Sequence, residues 1–249
     1  LNPKTGVIVN PPNLPGWRDV PVARLLRRSL GVPVVIENDV NAATRAELHL
    51  GAGRGVKDFI CLTLGTGIGG GIVVDGKVVR GATGSAGEIG HMVIEPSGPD
   101  CPCGRRGCLE LYASGSAIAR RMRERIVAGE TSLALDLSEG WIDAITAKHV
   151  FDAAGRGDRV ALEVVDSAAE VLGRALSVLV MALNPRRILI GGGVARSAEM
   201  IFSRVNEAIS RYAWEPLARA VTVMPMALGP QAGAIGAGLL ALAHLRGER

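Results

Sequence analysis

Between Gly90 and Glu110 the chain reads GHMVIEPSGPDCPCGRRGCLE, a stretch that holds one histidine and three of the four cysteines in 249 residues. The ligand-type residues are His91, Cys101, Cys103 and Cys108. One imidazole and three thiolates suit a tetrahedral zinc ion, Zn2+. The glycines and prolines between them let the loop double back so that the side chains converge. Disulfides are the competing reading. A reducing compartment disfavours them, and a Cys-x-Cys pair closes only with strain. Protein groups at all coordination positions make the expected metal structural, and the order of the loop dependent on it.

Two carboxylates flank this loop, Glu88 before the histidine and Glu110 after the last cysteine. A loop glutamate ordinarily faces water. A pair bracketing a rigid metal knot would instead be held in place to bind hydroxyl groups, with zinc as the clamp and not the reagent.

A third acid follows an apolar run. VVIENDVNAA places Asn38 and Asp39 where a strand would end and a helix begin. Both residue types are favoured as N-caps. The ends of strands in α/β sheets also face the ligand crevice, where an aspartate can take a proton from a hydroxyl attacking a γ-phosphate. Both readings stand at this level.

Two glycine-rich stretches complete the set. LTLGTGIGGGIVV, around Gly65, Thr66 and Gly67, lacks the Lys-Ser/Thr ending of a P-loop and runs from strand to strand, unlike a dinucleotide fingerprint. It is either a tight hairpin or a phosphate cradle built from backbone N–H groups and the Thr66 hydroxyl. ILIGGGVA, with Gly192 and Gly193, leaves a strand and enters a helix, a common seat for nucleotides.

The elements that must position these residues follow from periodicity and punctuation. Helices are expected over Val22–Leu30 with Gly31 as its stop, from Asp39 to near Gly51, from a Ser114 or Ser116 cap to about Ala128, over Arg159–Leu183, over Glu199–Tyr212, and through QAGAIGAGLLALAHL. Strands are expected in VPVVIEN (Val32 to Asn38), on both sides of the glycine turn, with Asp75-Gly76 as a hairpin, in RRILIG and in AVTVMPMAL. Cys61 alternates inside a strand and reads as core. Strands alternating with helices make the class α/β, with a mixed sheet.

Composition agrees. Hydrophobic residues at 48%, 33 glycines and 3% aromatics describe a folded α/β chain, and the net charge of +4 is mildly basic. The arginines at 24, 27 and 28 and at 120, 121, 123 and 125 read as solvated helix faces, and no motif points to nucleic acid. No apolar run reaches membrane-spanning length, and the start lacks the order of a signal peptide. A cytoplasmic location is the expectation.

Taken in order, PPNLPGW, ENDVNAA, LGTGIGGGIV, GEIGHMVIEPSGPDCPCGRRGCLE and ILIGGGV resemble the ROK family of bacterial sugar kinases and sugar-responsive repressors, in its glucokinase branch. The resemblance runs almost end to end. It implies a ribonuclease H-like, actin-like ATPase fold of hexokinase type with two lobes. The lobes would be a partial small lobe over 1–57, a large lobe over 58–232 with the zinc loop at 88–110, and a helix over 233–249 returning to the small lobe. It implies ATP- and Mg2+-dependent phosphorylation of a hexose, glucose foremost. Asp39 would be the catalytic base for the 6-hydroxyl, with Asn13, Asn38, Glu88, His91 and Glu110 on the other hydroxyls. Gly65, Thr66 and Gly67 would meet the phosphates, with Gly192 and Gly193 near the nucleoside. His91 would serve both zinc and sugar. A homodimer is implied, with a tetramer as the larger alternative. The family's opening strand with its DxGGT-type phosphate loop is not in this sequence, so the first lobe is expected to be incomplete. The alternative function is a sugar-sensing repressor fragment lacking its DNA-binding region.

Overall fold

In the computed structural model, which describes residues 1–9, 14, 16–193 and 199–247, the chain divides into two compact units. The first comprises Leu1–Cys61, Gly70–Glu88 and Met226–Arg249; the second comprises Leu62–Gly69 and Ile89–Pro225. The strands run β1 (Phe59–Leu64), β2 (Ile68–Val74), β3 (Lys77–Val78), β4 (Arg187–Gly191) and β5 (Thr222–Pro225), in the order β3-β2-β1-β4-β5. An antiparallel pair, β2 with β3, and a parallel pair, β4 with β5, make the sheet mixed, as expected. Among the described residues, no helix is long and apolar enough to cross a membrane.

The first unit is built on two helices, α2 (Asp39–Leu50) and α10 (Ala232–Leu245). Small residues let their backbones approach. A Cβ on Gly236 would collide with the Ala42 carbonyl, so only glycine fits there. Ala43, Ala46 and Ala232 form the seam, joined by Met226, Leu228 and Ile235. Glu47 is fully buried, and its carboxylate accepts hydrogen bonds from the backbone N–H groups of Ala52 (2.7 Å), Ala227 (3.1 Å) and Leu228 (2.8 Å). These bonds satisfy a charge that would otherwise be costly to bury. Helix α1 (Val22–Leu30) ends at Gly31 in the left-handed conformation, as its sequence predicts. The β2–β3 hairpin turns at Asp75 and Gly76, both with positive φ, pairing Val73 with Val78 and Val74 with Lys77. Cys61 is buried core, and desolvation pushes its thiol up to about 12.

One expectation fails here. Among the described residues, Val32–Asn38 carries no strand pairing, and Val34, Val35 and Ile36 are half-buried rather than buried. A run of β-branched residues supplies propensity, but a strand also needs a neighbouring ladder to satisfy its N–H and C=O groups.

In the second unit α7 (Arg159–Leu183) is the central helix, capped at its start by the Asp158 side chain and closed at its end by Asn184 in the left-handed region. Its buried face, including Val164, Ala168, Leu172 and Leu176, packs against α4 (Gly115–Val127), α6 (Ala147–Gly155) and α8 (Glu199–Tyr212). Gly173 admits α8 closely, since a Cβ there would lie 2.9 Å from the Val205 carbonyl. Strands β4 and β5 pair Ile188 with Val223 and Leu189 with Met224. Short helices α3 (Glu110–Ala113), α5 (Leu133–Leu137) and α9 (Glu215–Ala220) fill the connections.

Candidate active site and metal centre

The cysteine loop lies wholly in the second unit and is folded back on itself by its own backbone. The N–H groups of Ile94 and Leu109 donate to the carbonyls of Gly107 and Met92, each at 2.9 Å. Cys101 donates to Arg105 (2.7 Å) and Gly107 to Pro99 (2.8 Å), closing the tip. Gly107 has φ 66°, and the Glu95 backbone occupies the place of any side chain there. His91 ends a single 3-10 turn, Ile89–His91, held by Gly90 pressed against the Ile68 carbonyl.

The structure brings His91, Cys101, Cys103 and Cys108 together, with their ligand atoms all within 4.8 Å of one another. Cys101 Sγ is 3.6 Å from His91 Nδ1, and Cys103 Sγ is 3.6 Å from Cys108 Sγ. That separation is far beyond a disulfide bond, and all the cysteines are free. It matches the edge of a zinc tetrahedron, where Zn–S and Zn–N bonds of about 2.3 and 2.0 Å set ligand atoms roughly 3.5–3.8 Å apart. Burial pushes the thiols of Cys101 and Cys108 up. Burial acts the same way on Cys103, but bonds from the Arg105 N–H and the two neighbouring thiols outweigh it, leaving Cys103 below the ordinary thiol. Without a cation, burial thus favours the protonated thiols of Cys101 and Cys108; a bound divalent ion would deprotonate them outright.

Glu110 opens α3 with its carboxyl against the cluster. Its Oε1 accepts from Cys101 Sγ at 3.3 Å and lies 3.4 Å from His91 Nδ1. Its Oε2 faces the glycine turn, where a Cβ on Gly67 would come within 2.7 Å. In that turn Gly65 N–H donates to the Gly67 carbonyl (3.0 Å), and the Gly65 carbonyl accepts from Gly115 N–H (2.8 Å) at the start of α4. Ser114 caps α4 through Ala117 N–H at 3.1 Å. Thr66 is exposed. Gly192 (φ 94°) packs on the backbone of Leu64, the residue just before the turn, so the two glycine loops are neighbours in the second unit. Gly193 is exposed beside it.

Asn38, Asp39 and Glu88 belong to the first unit. The Asn38 side chain accepts from Val40 N–H (2.9 Å) and Asn41 N–H (3.0 Å), which makes it the N-cap of α2. Asp39 is the first residue of the helix; its side chain is exposed, and its Oδ1 accepts from Val40 N–H (2.9 Å). Ahead of them the buried Glu37 carboxylate accepts from Asn38 N–H (3.1 Å) and pairs with Arg80 (2.6 Å), fixing the approach to the helix. Burial first, and Arg80 second, hold the neighbouring Arg45 guanidinium below its usual range. Glu88 is exposed at the end of its segment, after Gly87 (φ 92°). Asn13 lies outside the described residues.

Sequence reasoning missed the Gly67–Glu110 approach, the Gly65–Gly115 bond and the Glu37–Arg80 pair. All are contacts between residues far apart in the chain, and no local spacing announces them.

The sequence profile of the ROK family matches residues 1–244. The chain is 42% identical to a glucokinase of Thermotoga maritima, over 85% of this chain and 67% of that protein. It is 43% identical to a glucokinase of Halalkalibacterium halodurans, over 84% of this chain and 63% of that one. It therefore spans about two thirds of the length of these curated relatives. The crystal structure of a ROK family glucokinase from Streptomyces griseus, in complex with glucose and AMPPNP, matches with a TM-score of 0.89 at 37% identity. That match covers 96% of this chain and 78% of the other.

Proposed function

Because the chain belongs to the ROK family and shares the actin-like ATPase fold of its sugar kinases, we propose that it phosphorylates a hexose from ATP, with glucose as the preferred substrate. The observation that carries this reading is the division of labour at the start of α2. Asn38 spans the Val40 and Asn41 amides, whereas the exposed Asp39 carboxylate takes the Val40 amide through one oxygen, Oδ1 (2.9 Å), and offers its other oxygen for chemistry.

In the proposed reaction Asp39 accepts the proton of the sugar 6-hydroxyl as that oxygen attacks the γ-phosphorus. The O–H bond breaks, the new O–P bond forms, and the bond from the γ-phosphorus to the bridging oxygen breaks, that oxygen leaving with ADP. Asn38, Glu88, His91 and Glu110, with Asn13, hold the remaining hydroxyls. Gly65, Thr66 and Gly67 take the phosphates through backbone N–H groups and the Thr66 hydroxyl, and Gly192 with Gly193 lies by the nucleoside. Catalysis is then mainly orientation of two bound substrates. Mg2+ entering with ATP would neutralise phosphate charge. Zinc held by His91, Cys101, Cys103 and Cys108 would supply order to the loop that carries His91 and Glu110. A homodimer is part of the same proposal.

The test is ATP-dependent phosphorylation of glucose, mannose, fructose, allose and an N-acetylated hexose by this chain, loaded with zinc and supplied with Mg2+. Turnover fastest on glucose is the expected result. Glucose binding without ADP formation would replace the kinase with a sugar sensor, and no binding of any hexose would overturn both.

A further inference from the structure

The candidate groups of the first unit sit on two stretches far apart in sequence, Asn38–Asp39 and Glu88. Arg80 holds the lead-in to both. Its guanidinium donates to Glu37 Oε2 through Nε (2.8 Å) and Nη2 (2.6 Å), while Oε1 of the same carboxylate accepts from Asn38 N–H (3.1 Å). Its backbone carbonyl accepts from Ala86 N–H (3.1 Å), which closes the loop that leads to Gly87 and Glu88. Gly87 leaves that loop pressed on β2, where a Cβ would lie 2.7 Å from the Gly70 carbonyl. Arg80 itself departs from a paired position, since Val79 N–H donates to the Ile72 carbonyl at 2.8 Å.

We propose that Arg80 is a positioning residue that acts through Glu37: it fixes the Asn38 peptide where the chain turns into α2, and so sets the Asp39 carboxylate in register with Glu88. This deepens the kinase reading and rests on it for the consequence in turnover. The Glu37 side chain is only 5% exposed, and each of its oxygens is committed to a different partner. It cannot rotate without losing one of them. Asn38 is extended (φ −64°, ψ 141°) and Asp39 is helical, so a small rotation at that peptide swings the Asp39 side chain. A second cation, Arg45, also attracts Glu37, but it belongs to α2 itself. Arg45 can neutralise the carboxylate; it cannot tie the start of the helix to the β2–β3 hairpin. Removing Arg80 therefore cuts the tie without leaving Glu37 uncompensated.

The test compares wild type, Arg80→Met, Glu37→Gln and the double variant, each as the whole chain loaded with zinc. Thermal melting shows where each is fully folded, and glucose phosphorylation is measured below that temperature. Arg80→Met is expected to lower kcat about 10²-fold, the scale of a misplacement of about 1 Å at the reacting atoms, and to weaken calorimetric glucose binding much less. In the Arg80→Met background Glu37→Gln is expected to cost at most about two-fold more, because the tie is already cut. A lower melting point with unchanged kcat overturns the proposal, as do effects of the two substitutions that multiply. Should Arg80→Met fail to fold, the double variant, which leaves neither half of the pair behind, is expected to show the same loss of kcat. Wild-type turnover in the double variant, or failure of both to fold, overturns the proposal. If wild type phosphorylates no hexose, the kinase reading falls, and amide exchange decides this one. Arg80→Met is expected to quicken exchange at both Asn38 and Ala86; unchanged exchange at either overturns it.

Discussion

Asn38 and Asp39 have nearly equal propensity to cap a helix, yet they share its start unequally. The Asn38 oxygen takes the Val40 and Asn41 amides, while Asp39, one position inside the helix with its side chain exposed, takes the Val40 amide alone. Sequence could name the pair but could not divide the work, because which residue caps depends on where the backbone leaves the extended region. The division makes a sharp prediction. Asp39→Asn leaves the cap intact, so the thermal midpoint stays at the wild-type value and glucose affinity changes less than about three-fold. Turnover falls by about 10³, within the usual range for removing a general base. Steady-state kinetics and calorimetry on the same preparation check it. Loss of glucose binding in this variant would mean that Asp39 serves the ground state and not proton transfer. The convergence of His91, Cys101, Cys103 and Cys108, by contrast, was legible at once. Their spacing is local, and a loop with Gly104 and Gly107 at positive φ has few ways to fold other than back on itself.

Elements were legible wherever both ends carry a chemical stop. Helix α7 runs over Arg159–Leu183 as expected because Asp158 caps it and Asn184-Pro185 closes it. Val32–Asn38 was misread because an apolar run reports burial tendency and says nothing of a pairing partner. The seam between α2 and α10 escaped for a different reason: Gly236 and Glu47 look unremarkable alone, and their roles exist only once the helices meet. Glu47 is the stronger test of that seam. Its fully buried carboxylate holds the Ala227 and Leu228 amides, which lie just ahead of α10. Glu47→Ala leaves those donors without their acceptor and opens a cavity, at a cost of about 3–5 kcal/mol. Denaturant unfolding should show that loss, and amide exchange at Ala227 and Leu228 should quicken. Glu47→Gln keeps one acceptor oxygen and should cost less. Equal stability of the alanine variant and wild type would show that helix packing alone holds the seam.

At the scale of the molecule, the first unit is assembled from three stretches of chain and the second from two. No periodicity records which stretches meet, since that is decided by packing between surfaces far apart in sequence. The division bears on what a metal could do. The histidine and cysteines lie in the second unit, while the α2–α10 seam lies in the first. A structural ion in that loop acts by tying residues 91–108 together, and its free energy of binding adds to the stability of the part it ties. Stripping zinc with a strong chelator should therefore raise hydrogen exchange at Ile94, Cys101, Gly107 and Leu109, whose amides bond within the loop. Exchange at Ala227 and Leu228 should not change. Glucose affinity should fall in the stripped protein and return on adding zinc, because His91 and Glu110 are placed by the same loop. Unchanged loop protection in metal-free protein would mean that the backbone bonds alone hold the loop, and zinc would lose its place as the clamp on the hexose site.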